Sequence, residues 1–159
     1  MNRRTIKISH VAVSSAILAL LLWAPVPSLT AQSKDTATLT VRITGARNTK
    51  GKIGVTLFRE AQGFPDDPSK AVRQQSAEID PHTMSAQVTF KDLPQGTFAV
   101  SVLHDENGNG KMDKNFVGMP KEGYGASNNP KKKKRAPAFD EAKFALNASE
   151  QTIEITLIY

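Results

Sequence analysis

The residues best spaced for chemistry lie between Asp105 and Asn129, DENGNGKMDKNFVGMPKEGYGASNN. Asp105, Asn107 and Asn109 alternate, Gly110 follows, and Asp113 completes a D-x-N-x-N-G-x-x-D series. Side-chain oxygens at every second position, with a glycine that lets the backbone turn, are what a hard cation such as calcium requires. In that reading Asp105, Asn107 and Asn109 supply side-chain oxygens, Lys111 its backbone carbonyl, and Asp113 binds directly or through water. The twelfth position departs from an EF-hand loop, because Phe116 stands where a bidentate Glu belongs. Two asparagines in place of aspartates also lower the ligand charge, which sets any affinity at ~0.1 to 1 mM, the range of extracellular modules. The competing reading needs no metal: Asn-Gly and Asp-rich sequence forms tight turns because these residues tolerate left-handed backbone angles.

Other polar residues gather around this loop. His104 precedes Asp105, and a general-base reading would pair it with Ser101 or Ser127 as nucleophile. No nucleophile motif accompanies them, and a structural histidine at a strand end is the competing role. Only His82 and His104 lie beyond the first 31 residues, too few for a multi-histidine zinc site. Glu122 supplies a further carboxylate, and Tyr124, between Gly123 and Gly125, together with Ser127, Asn128 and Asn129 just beyond, are candidates for a ligand surface. Asp66 and Asp67 sit beside Pro65 and Pro68, the chemistry of a turn. Lys131, Lys132, Lys133, Lys134 and Arg135 form one basic run, an exposed loop or a contact for an anionic envelope component.

The elements that must position these residues read as strands. Leu39, Val41 and Ile43 alternate with polar residues, then Ile53, Val55 and Leu57 do so, and the two segments read as a hairpin. Residues 60 to 71 read as a surface loop with at most one helical turn, and Val72 to Ile79 as a weak strand. Met84, Ala86, Val88 and Phe90 alternate, Asp92 to Gly96 form a turn, and Phe98, Val100 and Val102 follow as an antiparallel neighbour. That strand runs straight into His104 and Asp105, which mounts the candidate loop on a strand end. Glycines and prolines from 116 to 142 exclude regular structure, and Ile153, Ile155 and Leu157 form a last strand. Roughly seven strands without a sustained helical repeat predict an all-β fold, a single antiparallel β-sandwich of immunoglobulin-like or transthyretin-like kind.

The start of the chain is different in kind. Arg3, Arg4 and Lys7 precede an apolar run from Val11 to Trp23 and small, proline-rich residues ending near Ala31. This is the layout of a cleaved secretory signal over residues 1–31, with the sandwich and its long loop 105–142 occupying residues 32–159. The run is short for a span of ~20 residues, so no membrane span is expected in the mature form. There are no cysteines for disulfides or for lipid attachment. The net charge of +6 comes from 21 Lys and Arg against 15 Asp and Glu. Without the leader the balance is 18 against 15, and without the run at 131–135 as well it is 13 against 15. Basicity therefore belongs to two short segments, which argues against a nucleic-acid surface.

The segments LPQGTFAVSVLHDENGNGKMDKNFVGMPKEGYGASNN, APAFDEAKF and ITLIY resemble the bacterial family known as domain of unknown function 2141, over about Thr36 to Tyr159. The resemblance implies a small exported β-sandwich, similar to the transthyretin-like or carboxypeptidase-regulatory-like group. It brings no catalytic residues to carry over. It groups His104, Asp105, Asn107, Asn109, Asp113, Glu122, Tyr124, Ser127 and Asn128 into one neighbourhood, and the basic run at Lys131 departs from the family's pattern. The LPQG turn before an acidic Asn/Gly loop is also similar to surface-protein B-type repeats, whose loops can hold calcium. The expectation is an exported, non-enzymatic binding or structural module with a modest calcium site. The alternatives are a carboxylate-based hydrolase of envelope polymers and an adhesion or assembly protein working through residues 131–135.

Overall fold

Alternation of apolar and polar side chains builds the first strand, β1 (Thr36–Thr44), which buries Ala37, Leu39, Val41 and Ile43. The structure, a computed structural model, describes residues 36–131 and 135–159; the expected leader and Lys132, Lys133 and Lys134 lie outside them. After β1 come β2 (Lys52–Phe58), β3 (Arg73–Ala77), β4 (Ala86–Pro94), β5 (Gly96–Asp105), β6 (Gly123–Ala126), a one-turn helix α1 (Phe139–Ala142), β7 (Phe144–Leu146) and β8 (Glu150–Thr156). The 60–71 loop holds a single 3-10 turn, Pro68–Lys70, in which the Asp67 carboxylate caps the Ser69 N–H.

Two sheets form the sandwich. One has the order β4-β1-β8; the other has the order β3-β2-β5-β6, with β7 pairing the start of β5. All pairs are antiparallel except β1 and β8, which run parallel. The all-β sandwich expected from the alternation is present, with eight described strands rather than about seven.

Three local expectations are corrected. β1 and β2 are not a hairpin: β1 pairs β4 and β8, whereas β2 pairs β3 and β5. Nor are β4 and β5 neighbours, although Gln95 alone separates them. The chain turns a corner from one sheet to the other, with Asp92 at φ 56° and Gly96 at φ 147° beside a register shift opposite Ala37 and Leu39. A short link between alternating segments serves a sandwich corner as well as a hairpin, so spacing does not separate them. Finally, the 116–142 stretch is not devoid of regular structure, since it contains β6 and α1. Glycines occur in β6 because its neighbours press close: a Cβ on Gly123 would lie 2.5 Å from the Tyr159 ring, and one on Gly125 2.7 Å from Ile155 Cγ2.

The core lies between the sheets. Leu39, Val41 and Ile43 of β1 and Val88 and Phe90 of β4 meet Ile53, Val55, Leu57, Phe98, Val100 and Val102 of the other sheet. A second, smaller cluster covers the outer face of β5 and β6, where Phe64 and Phe139 pack on Ala99, Ala126 and Ala142. Phe64 stacks edge-on against both Phe58 and Phe139, at 5.4 and 5.9 Å between ring centres. Among the described residues no helix is long and apolar enough to cross a membrane, which says nothing of strand-built barrels.

Candidate functional site

The ladder between β2 and β5 ends with Ile53 opposite His104 and Lys52 opposite Asp105. On the other side, β6 pairs His104 with Gly123. The loop from Asp105 therefore leaves a strand held on both flanks, and its root is fixed by the sheet.

His104 is completely buried at that root. Its Nε2 lies 2.9 Å from the Lys50 carbonyl oxygen and its Nδ1 2.7 Å from the Tyr159 hydroxyl. A carbonyl only accepts, so Nε2 carries the proton and Nδ1 accepts from the Tyr159 O–H. The Tyr159 oxygen in turn accepts the Arg47 backbone N–H at 3.0 Å, and the Arg47 guanidinium lies over the Tyr159 ring at 4.5 Å. Burial pushes the Tyr159 phenol above its ordinary 10.0, and the Glu106 carboxylate adds to the shift. Both ring nitrogens of His104 are thus engaged away from either serine. Ser101 donates to the Pro65 carbonyl at 2.8 Å, while Ser127 donates to the Ala142 carbonyl at 2.6 Å and accepts the Val100 N–H at 2.9 Å.

The 105–113 loop folds around its own acceptors. Asp105 Oδ1 accepts from the N–H groups of Gly108 and Asn109 at 2.8 and 3.1 Å, and Oδ2 accepts from Gly110 at 2.8 Å. Gly108 and Gly110 take φ near +75° and make this wrap possible. Asn107 and Asn109 turn their amide nitrogens to Asp113, donating to Oδ2 at 2.7 Å and Oδ1 at 3.0 Å. Their oxygens accept the N–H groups of Asn109 and Lys111 at 3.0 and 2.8 Å. Two amide N–H groups therefore stand beside Asp113 where a cation would stand. Holding calcium requires both amides to rotate and present oxygen instead. Among the described residues no three His, Cys, Asp or Glu side chains converge as a metal group.

Glu122 joins the neighbourhood as a brace. It is 4% exposed, with Oε1 accepting the Glu106 N–H at 2.9 Å and Oε2 the Asp113 N–H at 3.0 Å. One buried carboxylate thus ties together the two ends of the loop, each bond charge-assisted. Nearby, Glu106 accepts from Asn48 Nδ2 at 3.0 Å and from Arg47 Nε at 2.8 Å. Burial opposes its ionisation, but these hydrogen bonds and the Arg47 charge outweigh it and hold Glu106 below its ordinary 4.5.

The remaining candidates separate from the loop. Tyr124 pairs Leu103 on one side and Ile158 on the other. Asn128, at φ 64°, donates to the Lys143 carbonyl at 2.9 Å. Asn129 covers the open edge of β8: it accepts the Thr156 N–H at 2.8 Å and donates to the Glu154 carbonyl at 3.0 Å, as a neighbouring strand would. A groove of about 230 Å³ lies here, lined in part by Tyr124, Asn129, Lys131, Arg135, Glu141 and Ile158. Within the basic run, Arg135 makes a two-pronged pair with Glu141 at 2.8 and 3.0 Å, so it does not stand as a free cation.

Arg47, Glu106 and Tyr159 also belong to this edge, and local spacing carries no signal for them, whereas Asn129 is a groove candidate by sequence. Arg47 and Tyr159 are 112 positions apart and meet only because the sandwich closes.

A family model described as "Uncharacterized protein conserved in bacteria (DUF2141)" matches residues 41–154, most of the chain. No curated protein and no solved structure matches it.

Proposed function

We propose, from the premise that the chain belongs to the DUF2141 family of uncharacterized bacterial proteins, that it is an exported, non-catalytic binding module working through the edge formed by residues 104–129. The observation that carries this reading is the Glu122 brace, which joins Glu106 and Asp113 and so presents the intervening loop in one conformation. A loop ordered before it meets its partner loses little freedom on binding. The basic and apolar leader of residues 1–31 supports export.

Calcium is the ligand best suited to the 105–113 loop. Support comes from the D-x-N-x-N-G-x-x-D spacing, which gathers the oxygen-bearing side chains of Asp105, Asn107, Asn109 and Asp113 in one loop; binding would turn the Asn107 and Asn109 amides to present oxygen in place of the N–H groups that now meet Asp113. Titration with calcium, followed by calorimetry and by the melting temperature, tests it. A midpoint at ~0.1 to 1 mM with a rise in melting temperature is expected, and Asp105→Ala removes the response. A protein indifferent to millimolar calcium excludes the metal and leaves the loop ordered by hydrogen bonds alone.

The hydrolase alternative draws less support, because the carboxylates of Asp105, Asp113 and Glu122 already accept hydrogen bonds from the loop itself. Release of soluble fragments from envelope polysaccharide by the protein would overturn the non-catalytic reading. Contact between the 131–135 run and an anionic envelope component rests on Lys131 and on residues outside those described, since Arg135 is paired with Glu141. Binding insensitive to salt would count against it.

A further inference from the structure

Beyond the 105–113 loop the chain makes a turn whose apolar side chains point into solvent. Phe116 is 100% exposed, Val117 64% and Met119 51%. This exposure is held in place by hydrogen bonds. The Asn115 N–H donates to the Met119 carbonyl at 2.8 Å, and the Gly118 N–H to the Asn115 carbonyl at 2.9 Å. Asn115 Oδ1 accepts the N–H groups of Val117 and Met119 at 3.0 and 2.9 Å. Lys114 bridges Pro120 across the base, and the Lys121 N–H donates to the Asp113 carbonyl at 2.8 Å. Phe116 contributes no burial to folding, and Val117 and Met119 only part of theirs. Three in four residues, on a tip built to hold them out, form a surface for something else.

The charges around the tip identify what fits it. In K-NFVGMP-K, exposed Lys114 and Lys121 bracket the apolar residues, and no acidic residue lies between them. The nearest carboxylates, Asp113 and Glu122, keep their charge but lie outside the lysines at the base of the turn, held there by N–H groups of the 105–113 loop. An apolar end with a cationic collar matches the boundary of a bilayer, where acyl chains lie beneath phosphate groups. Lysine side chains suit such a boundary, because their apolar stems can be buried while the ammonium groups stay at headgroup level. A second copy of the chain would bring the same lysines and repel.

We propose that the Lys114–Lys121 turn docks the domain on anionic phospholipid bilayers, with Phe116, Val117 and Met119 entering the headgroup–acyl boundary. This goes beyond the binding module argued above and does not depend on an ion in the 105–113 loop.

Ser33–Tyr159 is a compact unit carrying every described strand of both sheets. It excludes Trp23, the single tryptophan of the chain, so Phe116→Trp in this unit gives one reporter at the tip. Vesicles of phosphatidylcholine, with or without phosphatidylglycerol, are the probe, with chelator present throughout. Expected are a blue shift of Trp emission and quenching by brominated lipid on the anionic vesicles. No change is expected for Val72→Trp, which lies next to the β2 end remote from Asp105. In co-sedimentation, Phe116→Ser/Val117→Ser/Met119→Ser lowers affinity at least tenfold, roughly the loss expected for removing the buried apolar contact. Lys114→Glu/Lys121→Glu weakens binding to the anionic vesicles and flattens its salt dependence. Circular dichroism and melting show that the variants fold. The proposal is overturned if the unmodified unit sediments with neither vesicle. It also fails if the triple serine variant binds as tightly as the parent, which assigns the contact to residues 131–135. A blue shift that follows protein concentration without lipid overturns it in favour of self-association.

Discussion

The Tyr159 hydroxyl donates a 2.7 Å hydrogen bond to Nδ1 of His104, linking residues 55 positions apart at the root of the 105–113 loop. Tyr159 follows directly on Ile158, which exchanges backbone hydrogen bonds with Tyr124 of β6, both at 2.9 Å. Gly123 leaves the space that the Tyr159 ring fills. His104, a general-base candidate by sequence, is therefore a post of the scaffold, with the proton fixed on Nε2 by the Lys50 carbonyl.

Tyr159→Phe removes the donor to His104 and the acceptor of the Arg47 N–H while keeping the ring. A buried group left without a partner costs about 1 to 3 kcal/mol, so the variant should be less stable by that amount, seen as a lower urea midpoint with an unchanged slope. Equal midpoints for the two proteins would show that the His104 contact is dispensable.

Glu122→Gln keeps the shape of the brace but sets an amide N–H₂ against one of two backbone N–H donors. The loss expected is ~2 kcal/mol, for one charge-assisted bond broken and one weakened. Hydrogen exchange checks the location: the amides of Glu106 and Asp113 should exchange faster, while those of β1 keep their protection relative to global stability.

Two titrating groups bound the pH range of stability at this edge. Glu106 is held below its ordinary 4.5 in the folded chain, so its contribution is present above that value and is lost as pH falls through the folded pKa. Tyr159 is raised above 10.0, so its contribution is present below that value and is lost as pH rises through the folded pKa. Glu106→Gln should flatten the acid limb of melting temperature against pH, and Tyr159→Phe the alkaline limb. An unchanged acid limb would place the acid dependence elsewhere, for example at Asp67 and Asp80, which are also lowered; an unchanged alkaline limb would remove Tyr159 as its source.

Gly51 and Gly108 separate backbone strain from crowding. Both hold positive φ, 65° and 75°. A Cβ on Gly51 would overlap the Asp105 carbonyl oxygen, whereas one on Gly108 meets nothing within 4 Å. Gly108→Ala should cost about 1 to 2 kcal/mol for the left-handed angle alone. Gly51→Ala adds the overpacking penalty, roughly 1 to 3 kcal/mol more. Chemical denaturation of the two variants reads the difference directly.

The fold class was legible in the sequence because each strand carries its own period of two. Leu39, Val41 and Ile43, or Phe98, Val100 and Val102, state which side is buried whatever lies opposite. The 105–113 loop was legible for a similar reason: the partners of Asp105, Asn107 and Asn109 lie within a few positions of them. Glycine-marked β6 was not, because its glycines answer to Tyr159 and Ile155, distant side chains that leave no trace in the local pattern.

The sequence by itself determined the alternating strands and the acceptor-rich loop at the end of one of them. Pairing was decided only in three dimensions. Two short links that read as hairpins became crossings between sheets, and His104 acquired Lys50 and Tyr159 as its partners. The reason is physical. Burial and turn chemistry are properties of neighbouring residues, while the choice of partner strand depends on how two whole faces fit together.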